Sequence, residues 1–179
     1  MSETDEPGCH FCDELRGRTG GAPRAFDDER FAVFIGRYQP TGPGYALVVP
    51  HRHVQDLHSL PEADCGAMLR MVRLTSVAVQ RAFDASGTTV MQNNGPPGQS
   101  VPHLHFHVVP RRPGDGYPRR ASVPELEDEL TDQALKLAAA LVAAGESGPS
   151  AEQAPRRRGV ARDRAQLVGI AFLTGLASP

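Results

Sequence analysis

The sequence predicts an α+β fold, an antiparallel sheet packed with two helices. Three observations carry that expectation. Two short apolar, β-branched runs, "RFAVFIGR" (30–37) and "GYALVVP" (44–50), flank the turn-rich "YQPTGP" and read as a hairpin. Two stretches with helical apolar period each follow a Ser-x-Pro-Glu start. A strictly alternating run, "HLHFHVV" (103–109), reads as a further strand. Strands thus lie mostly beside one another in the chain, with two helices left to cover the sheet.

The elements follow in order. "CHFC" (Cys9 to Cys12) opens the ordered part, and the hairpin follows. "SLPE" (59–62) reads as a capping box, with Ser59 as N-cap and Glu62 at the third helical position, so a helix should run to about Phe83. Its apolar positions 67/68, 71/72, 74, 78/79 and 82/83 form one buried stripe, and Arg70, Arg73 and Gln80 take the wet side. "GTTVMQN" (87–93) returns to strand, and "NGPPGQS" (94–100) is a loop before the histidines. "SVPE" (122–125) starts the second helix, with a stripe of Leu126, Leu130, Leu137 and Leu141 and acids in its first turns, where the helix dipole favours them. After Gly145 the composition becomes that of a linker, "GESGPSAEQAPRRRG", ahead of a tail at 160–176 that reads either as a short helix or as disorder. The expected division is a domain at 1–145 and a linker with tail at 146–179.

Composition narrows the class. The 179 residues suit one domain with a little extra, and 40% hydrophobic with 22% charged residues is usual for a soluble globular protein. A formal charge of −2 gives no global attraction to nucleic acid. The acidic start "MSETDEPG" is unlike a secretory signal, and "LVGIAFLTGLA" is too short to span a bilayer, so a cytoplasmic protein with no membrane partner is expected. That compartment argues against disulfides and leaves the three cysteines to be explained otherwise.

Two groups of residues suggest chemistry. His103, His105 and His107 account for three of only seven histidines. On a strand they share one face, each about 6.6–6.8 Å along from the last, with Leu104, Phe106 and Val108 turned to the other. A row of imidazoles reads as a metal face, a phosphate-handling face, or both. Beside it, Gly95 and Gly98 bring the backbone close, and Asn93 or Asn94, Gln99 and Ser100 offer donors for a phosphate cradle. Arg111 and Arg112, with Arg119 and Arg120 nearby, either neutralise phosphate or are simply solvated. The second group starts from Cys9 and Cys12. A CxxC is ambiguous between a redox pair and half a zinc site, and nothing resembling a redox βαβ context surrounds it. Half a zinc site needs two further ligands. His53 and His103 are the candidates, with His51 as the main rival, one strand step from His53, and His10 too close to both cysteines. Cys65 falls inside the first long helix and reads as core or boundary.

Together these segments resemble the histidine triad (HIT) family of nucleotide hydrolases and transferases. "QNNGPPGQSVPHLHFHVVPR" resembles the signature block, "GYALVVPHRHV" the segment ending in a site histidine, and "CHFC" the zinc CxxC near the N-terminus of many bacterial members. The match covers roughly Cys9 to Arg120. The resemblance implies His105 as nucleophile at the α-phosphorus of a nucleotide, forming a nucleotidyl-histidine. It implies His107 as a partner to the phosphate or leaving group, and Ser100 and Gln99 as phosphate contacts with Asn93 or Asn94 and Gly98 in the loop. His103 would complete a structural zinc site with Cys9, Cys12 and His53. A homodimer is implied as well. A histidine at the third position, where the uridylyltransferase branch carries Gln, favours hydrolysis of a nucleoside phosphoramidate, dinucleoside polyphosphate or related nucleotide. Alternatives are a transferase or phosphorylase of the same superfamily and a nucleotide-binding protein with little turnover. A metal on the triad itself would require a nearby carboxylate and more strands. Two departures stand out. The loop "NNGPPGQ" is one residue shorter than usual. Where many members carry a ribose-binding aspartate this chain has Gly36, followed by Arg37, which is placed among the nucleotide-binding residues.

Overall fold

A computed structural model describes residues 6–19, 21–118 and 126–146. The second Ser-x-Pro-Glu start at 122–125, Arg119, Arg120 and the tail expected at 146–179 lie outside them, except that the last helix ends at Glu146.

Five strands form one antiparallel sheet: β1 (Arg24–Asp27), β2 (Phe31–Ile35), β3 (Ala46–Pro50), β4 (Gly87–Met91) and β5 (Phe106–Arg111). Their spatial order is β1-β2-β3-β5-β4. The expected hairpin is β2–β3, in register from Phe31 opposite Pro50 to Ile35 opposite Ala46. β5 lies between β3 and β4, with His107 opposite Leu47 on one side and Met91 on the other.

Period-2 alternation sends the side chains of β2 and β3 to two different cores. Phe31, Val33, Ile35, Ala46 and Val48 face α2 (Glu62–Ala82) and α3 (Glu127–Glu146). Ala32, Phe34 and Val49 face α1 (His10–Leu15), packing with Cys9, Phe11, Cys12 and Leu15. β2 is buried at every position for this reason. On β5, Val108 and Phe106 pack toward the long helices.

Several expectations change. The first long helix begins at Glu62 with Pro61 as its N-cap and no side-chain cap. Ser59 does not cap it: its N–H and hydroxyl both donate to Asp56 Oδ1 instead, an Asx-type turn that competes with the capping box. The helix stripe is as expected, with Ala67, Met68, Met71, Val72, Ala78 and Val79 buried. Cys65 is on the exposed side. In α3, Leu130, Leu137 and Leu141 are buried, but Leu126 precedes the helix and is 71% exposed. No described helix is long and apolar enough to cross a membrane.

Candidate active site and metal centre

The triplet is not one regular strand. Only His107 lies within β5; His103 ends a bend and His105 sits in the non-strand segment just before it. There the chain leaves the sheet to bond elsewhere: Leu104 N–H donates to the Val54 carbonyl at 2.6 Å, and His103 N–H to Val101 at 2.8 Å. His103, Leu104 and His105 are all buried there.

His103 faces α1. Its Nδ1 is 3.4 Å from Cys9 Sγ and 3.6 Å from Cys12 Sγ. His53, just past the end of β3, places Nδ1 3.4 Å from Cys12 Sγ. The four donor atoms lie within 4.8 Å of one another. Metal–sulfur and metal–nitrogen bonds of about 2.3 and 2.0–2.1 Å at tetrahedral angles set neighbouring S and N donors roughly 3.5 Å apart, so the set fits a four-coordinate ion. On its far side, His103 Nε2 bonds the Pro50 carbonyl at 2.9 Å, the outer contact that orients a ligating imidazole. Burial pushes the His103 pKa down to about 4, which keeps the ring neutral. His51 is turned away, with Nε2 2.6 Å from Asp27 Oδ1. Asp27 of β1 thus holds His51 away from the cysteines, and His53 is the one that faces them.

Two residues along, His105 is held differently. Its Nδ1 donates to the His103 carbonyl at 2.7 Å, which leaves Nε2 as a bare lone pair. Phe11 packs against both rings, with centroids 5.8 Å from His103 and 5.0 Å from His105. Burial lowers the His105 pKa, so the ring is neutral near pH 7. His107 adjoins it at 4.8 Å with ring planes 73° apart. His107 Nδ1 meets the Tyr45 hydroxyl at 2.5 Å, and its Nε2 is buried without a partner among the described residues.

A cavity of about 560 Å³ opens over these rings. His105, His107, Ser100, Arg37, Tyr45 and Phe34 are among the residues that line it. The volume suits a nucleotide-sized ligand. The loop residues behave otherwise. Asn93, Asn94, Gly98 and Gln99 do not line the cavity. Gln99 braces its own loop, accepting from Gly95 N–H at 2.7 Å and donating to the Gln55 carbonyl at 2.6 Å. Asn94 Oδ1 accepts from Leu57 N–H at 2.9 Å. A Cβ on Gly98 would stand 3.2 Å from Asn93 Oδ1, so the short loop closes on Asn93. Arg111 and Arg112 are half-buried, do not line the cavity and are engaged with protein groups. Arg111 pairs with Asp115 at 2.7 Å, and Arg112 donates to the carbonyls of Thr41, Pro43 and Phe83.

Sequence reasoning missed much of the lining, Tyr45, Phe11 and Glu14 among it. Tyr45 opens "YALVV", whose alternation places it on the same face as Leu47, and that parity was a usable signal. Phe11 and Glu14 lie on a six-residue helix too short for periodicity to reveal.

A five-stranded antiparallel sheet with two long helices, and His105 and His107 lining a cavity beside it, is the fold class of histidine triad proteins. The HIT domain model matches residues 24–114, and the chain belongs to the histidine triad family. It is 37% identical over 110 residues to adenosine 5'-monophosphoramidase of Schizosaccharomyces pombe, covering 61% of this chain and 77% of that one. It is 35% identical over 103 residues to an uncharacterised HIT-like protein of Saccharolobus solfataricus, covering 57% and 73%. Among solved structures, a zinc-bound histidine triad protein of Mycobacterium smegmatis superposes with a TM-score of 0.65 at 30% identity, over 76% of this chain and 94% of that one. A HIT-like protein of Bartonella henselae gives 0.66 at 29%, over 75% and 98%.

Proposed function

We propose that the protein is a nucleotide hydrolase acting at the α-phosphate of a nucleoside phosphoramidate, dinucleoside polyphosphate or related nucleotide. The observation that carries the reading is the His105 ring, held by the His103 carbonyl with Nε2 unprotonated and lining the cavity. A neutral imidazole is a competent nucleophile near neutral pH. Nε2 attacks the α-phosphorus, the bond to the leaving group breaks, and the leaving group departs with that electron pair. Water then attacks the same phosphorus, the P–N pair returns to Nε2, and the proton shed by the water balances the one the leaving group takes up. His107 and Ser100 bond the phosphoryl oxygens, and Arg37 stands at the cavity wall with its charge available to the nucleotide. Two relatives support the reaction class by their names: the monophosphoramidase, and a bis(5'-nucleosyl)-tetraphosphatase of the same yeast, 33% identical over 85 residues.

Zinc is the metal this donor set suits, held by Cys9, Cys12, His53 and His103. Two thiolates and two imidazoles close a tetrahedral shell, so the ion supplies structure and no open position for water.

A panel of nucleoside phosphoramidates and dinucleoside polyphosphates, with products identified by mass spectrometry, tests the reading. His105→Ala should keep nucleotide binding and lose turnover by several orders of magnitude. Near wild-type turnover in that variant would remove His105 as nucleophile.

A further inference from the structure

We infer that Tyr45 is a positioning residue whose hydroxyl donates to His107 Nδ1 and so fixes His107 with its proton on Nε2. The inference rests on the reading of this cavity as a phosphate-transfer site, because it gives the second imidazole a role opposite to the first.

The geometry is specific. The Tyr45 hydroxyl is 2.5 Å from His107 Nδ1, and the two rings stack at 5.9 Å with planes only 6° apart. Tyr45 N–H is in turn held by Gln39 Oε1 at 2.9 Å, and Gln39 Nε2 donates to the Gly36 carbonyl. A phenol and an imidazole nitrogen can share a hydrogen bond in either direction. Burial keeps both partners neutral, raising the Tyr45 pKa far above its ordinary value and lowering that of His107 to about 4. The phenol O–H is the stronger donor of the two and meets no other acceptor among the described residues, so it donates to Nδ1. A stacked phenol O–H leaves Nδ1 as the acceptor and Nε2 as the protonated nitrogen. Nε2 then has a proton to give and no acceptor within reach among the described residues. A phosphoryl oxygen bound at His105 supplies that acceptor.

The neighbouring triad histidines thus hold opposite tautomers. In His105 a carbonyl accepts from Nδ1 and frees Nε2 as a base; in His107 a phenol donates to Nδ1 and makes Nε2 a donor. Gly36 is part of this device. A Cβ there would stand 2.3 Å from the Tyr45 ring, so the position from which a side chain would reach the cavity is taken by the ring that orients His107.

The test reads the tautomer directly. In the full-length ¹⁵N-labelled protein at pH 7.5, long-range ¹H–¹⁵N spectra of the histidine rings, assigned with His107→Gln, should show His107 protonated on Nε2. In Tyr45→Phe, which keeps the ring and loses the hydroxyl, the His107 Nδ1 resonance should shift and a mixture of tautomers should appear. A wild-type His107 protonated on Nδ1, or ring resonances unmoved by Tyr45→Phe, would overturn the assignment, and this arm needs no substrate. With a nucleoside phosphoramidate as probe, Tyr45→Phe should lower kcat about tenfold with KM nearly unchanged. It should add no further loss in a His107→Gln background; an additive loss there would mean that Tyr45 acts independently of His107.

Discussion

Gly36 and Tyr45 show how one residue constrains another. Gly36→Asp would drive its side chain into the Tyr45 ring. We expect it to destabilise the fold by about 1–3 kcal/mol, the usual cost of overpacking, and to release His107 from the phenol. Denaturant melts and the His107 ring resonances would check both effects. His107 also makes a pH prediction. Its folded pKa is held to about 4 by burial, against about 6.5 in an unfolded chain. Between those values the unfolded chain binds a proton that the folded one does not, so stability should fall as pH drops from 6.5 toward 4. Denaturation midpoints across that window should decline less steeply in His107→Gln. At this scale the sequence was legible where a motif names a residue and blind where a role depends on a neighbour. "CHFC" and the triplet pointed to the cluster. Nothing in "PHRHV" shows that Asp27 would take His51 and leave His53 to face the cysteines.

The elements were readable in proportion to their length. α2, with 21 residues, carries six turns of periodic evidence, whereas β1 has four residues and α1 six. Short elements are set by tertiary contacts, here by Phe11 stacking on Phe34 and by the cysteines reaching His103. The capping box failed because Asp56 takes the Ser59 N–H that Glu62 would have reached and draws the Ser59 hydroxyl away from the helix N–H groups. The triplet left the strand early because Val54 draws Leu104 out of register with β3. α1 makes the metal prediction. Cys9→Ser should lose bound zinc by elemental analysis and lower the melting temperature, since metal affinity is folding free energy. His105→Ala should retain the ion. Zinc that survives removal of both cysteines would place it on the histidine face instead.

At the scale of the molecule, β4 is an edge strand and α2 has a solvent face. Leu69 on α2 and Val90 on β4 are 63% and 43% exposed. A two-fold dimer burying that edge is the expectation, and light scattering under dilute native conditions would read twice the mass of a 19.2 kDa chain. A chain ending after Glu146, where α3 closes, should keep both melting temperature and activity; a large loss of either would place part of the tail on the domain.

The Arg112 fork has a consequence for timing. Its guanidinium holds the carbonyls of Thr41 and Pro43, in the loop before β3, and of Phe83, at the end of α2. Thr41 Oγ1 adds a bond to Pro110, and Gln133 of α3 accepts from Gly44 N–H. The loop that delivers Tyr45 is therefore riveted to three elements, and it should open only with the domain as a whole. The amide hydrogens of Gly44 and Tyr45, held by Gln133 and Gln39, should then exchange as slowly as those of β3. Arg112→Lys, which replaces a planar fork with a single ammonium, should let that loop exchange by local opening, faster than the core around it.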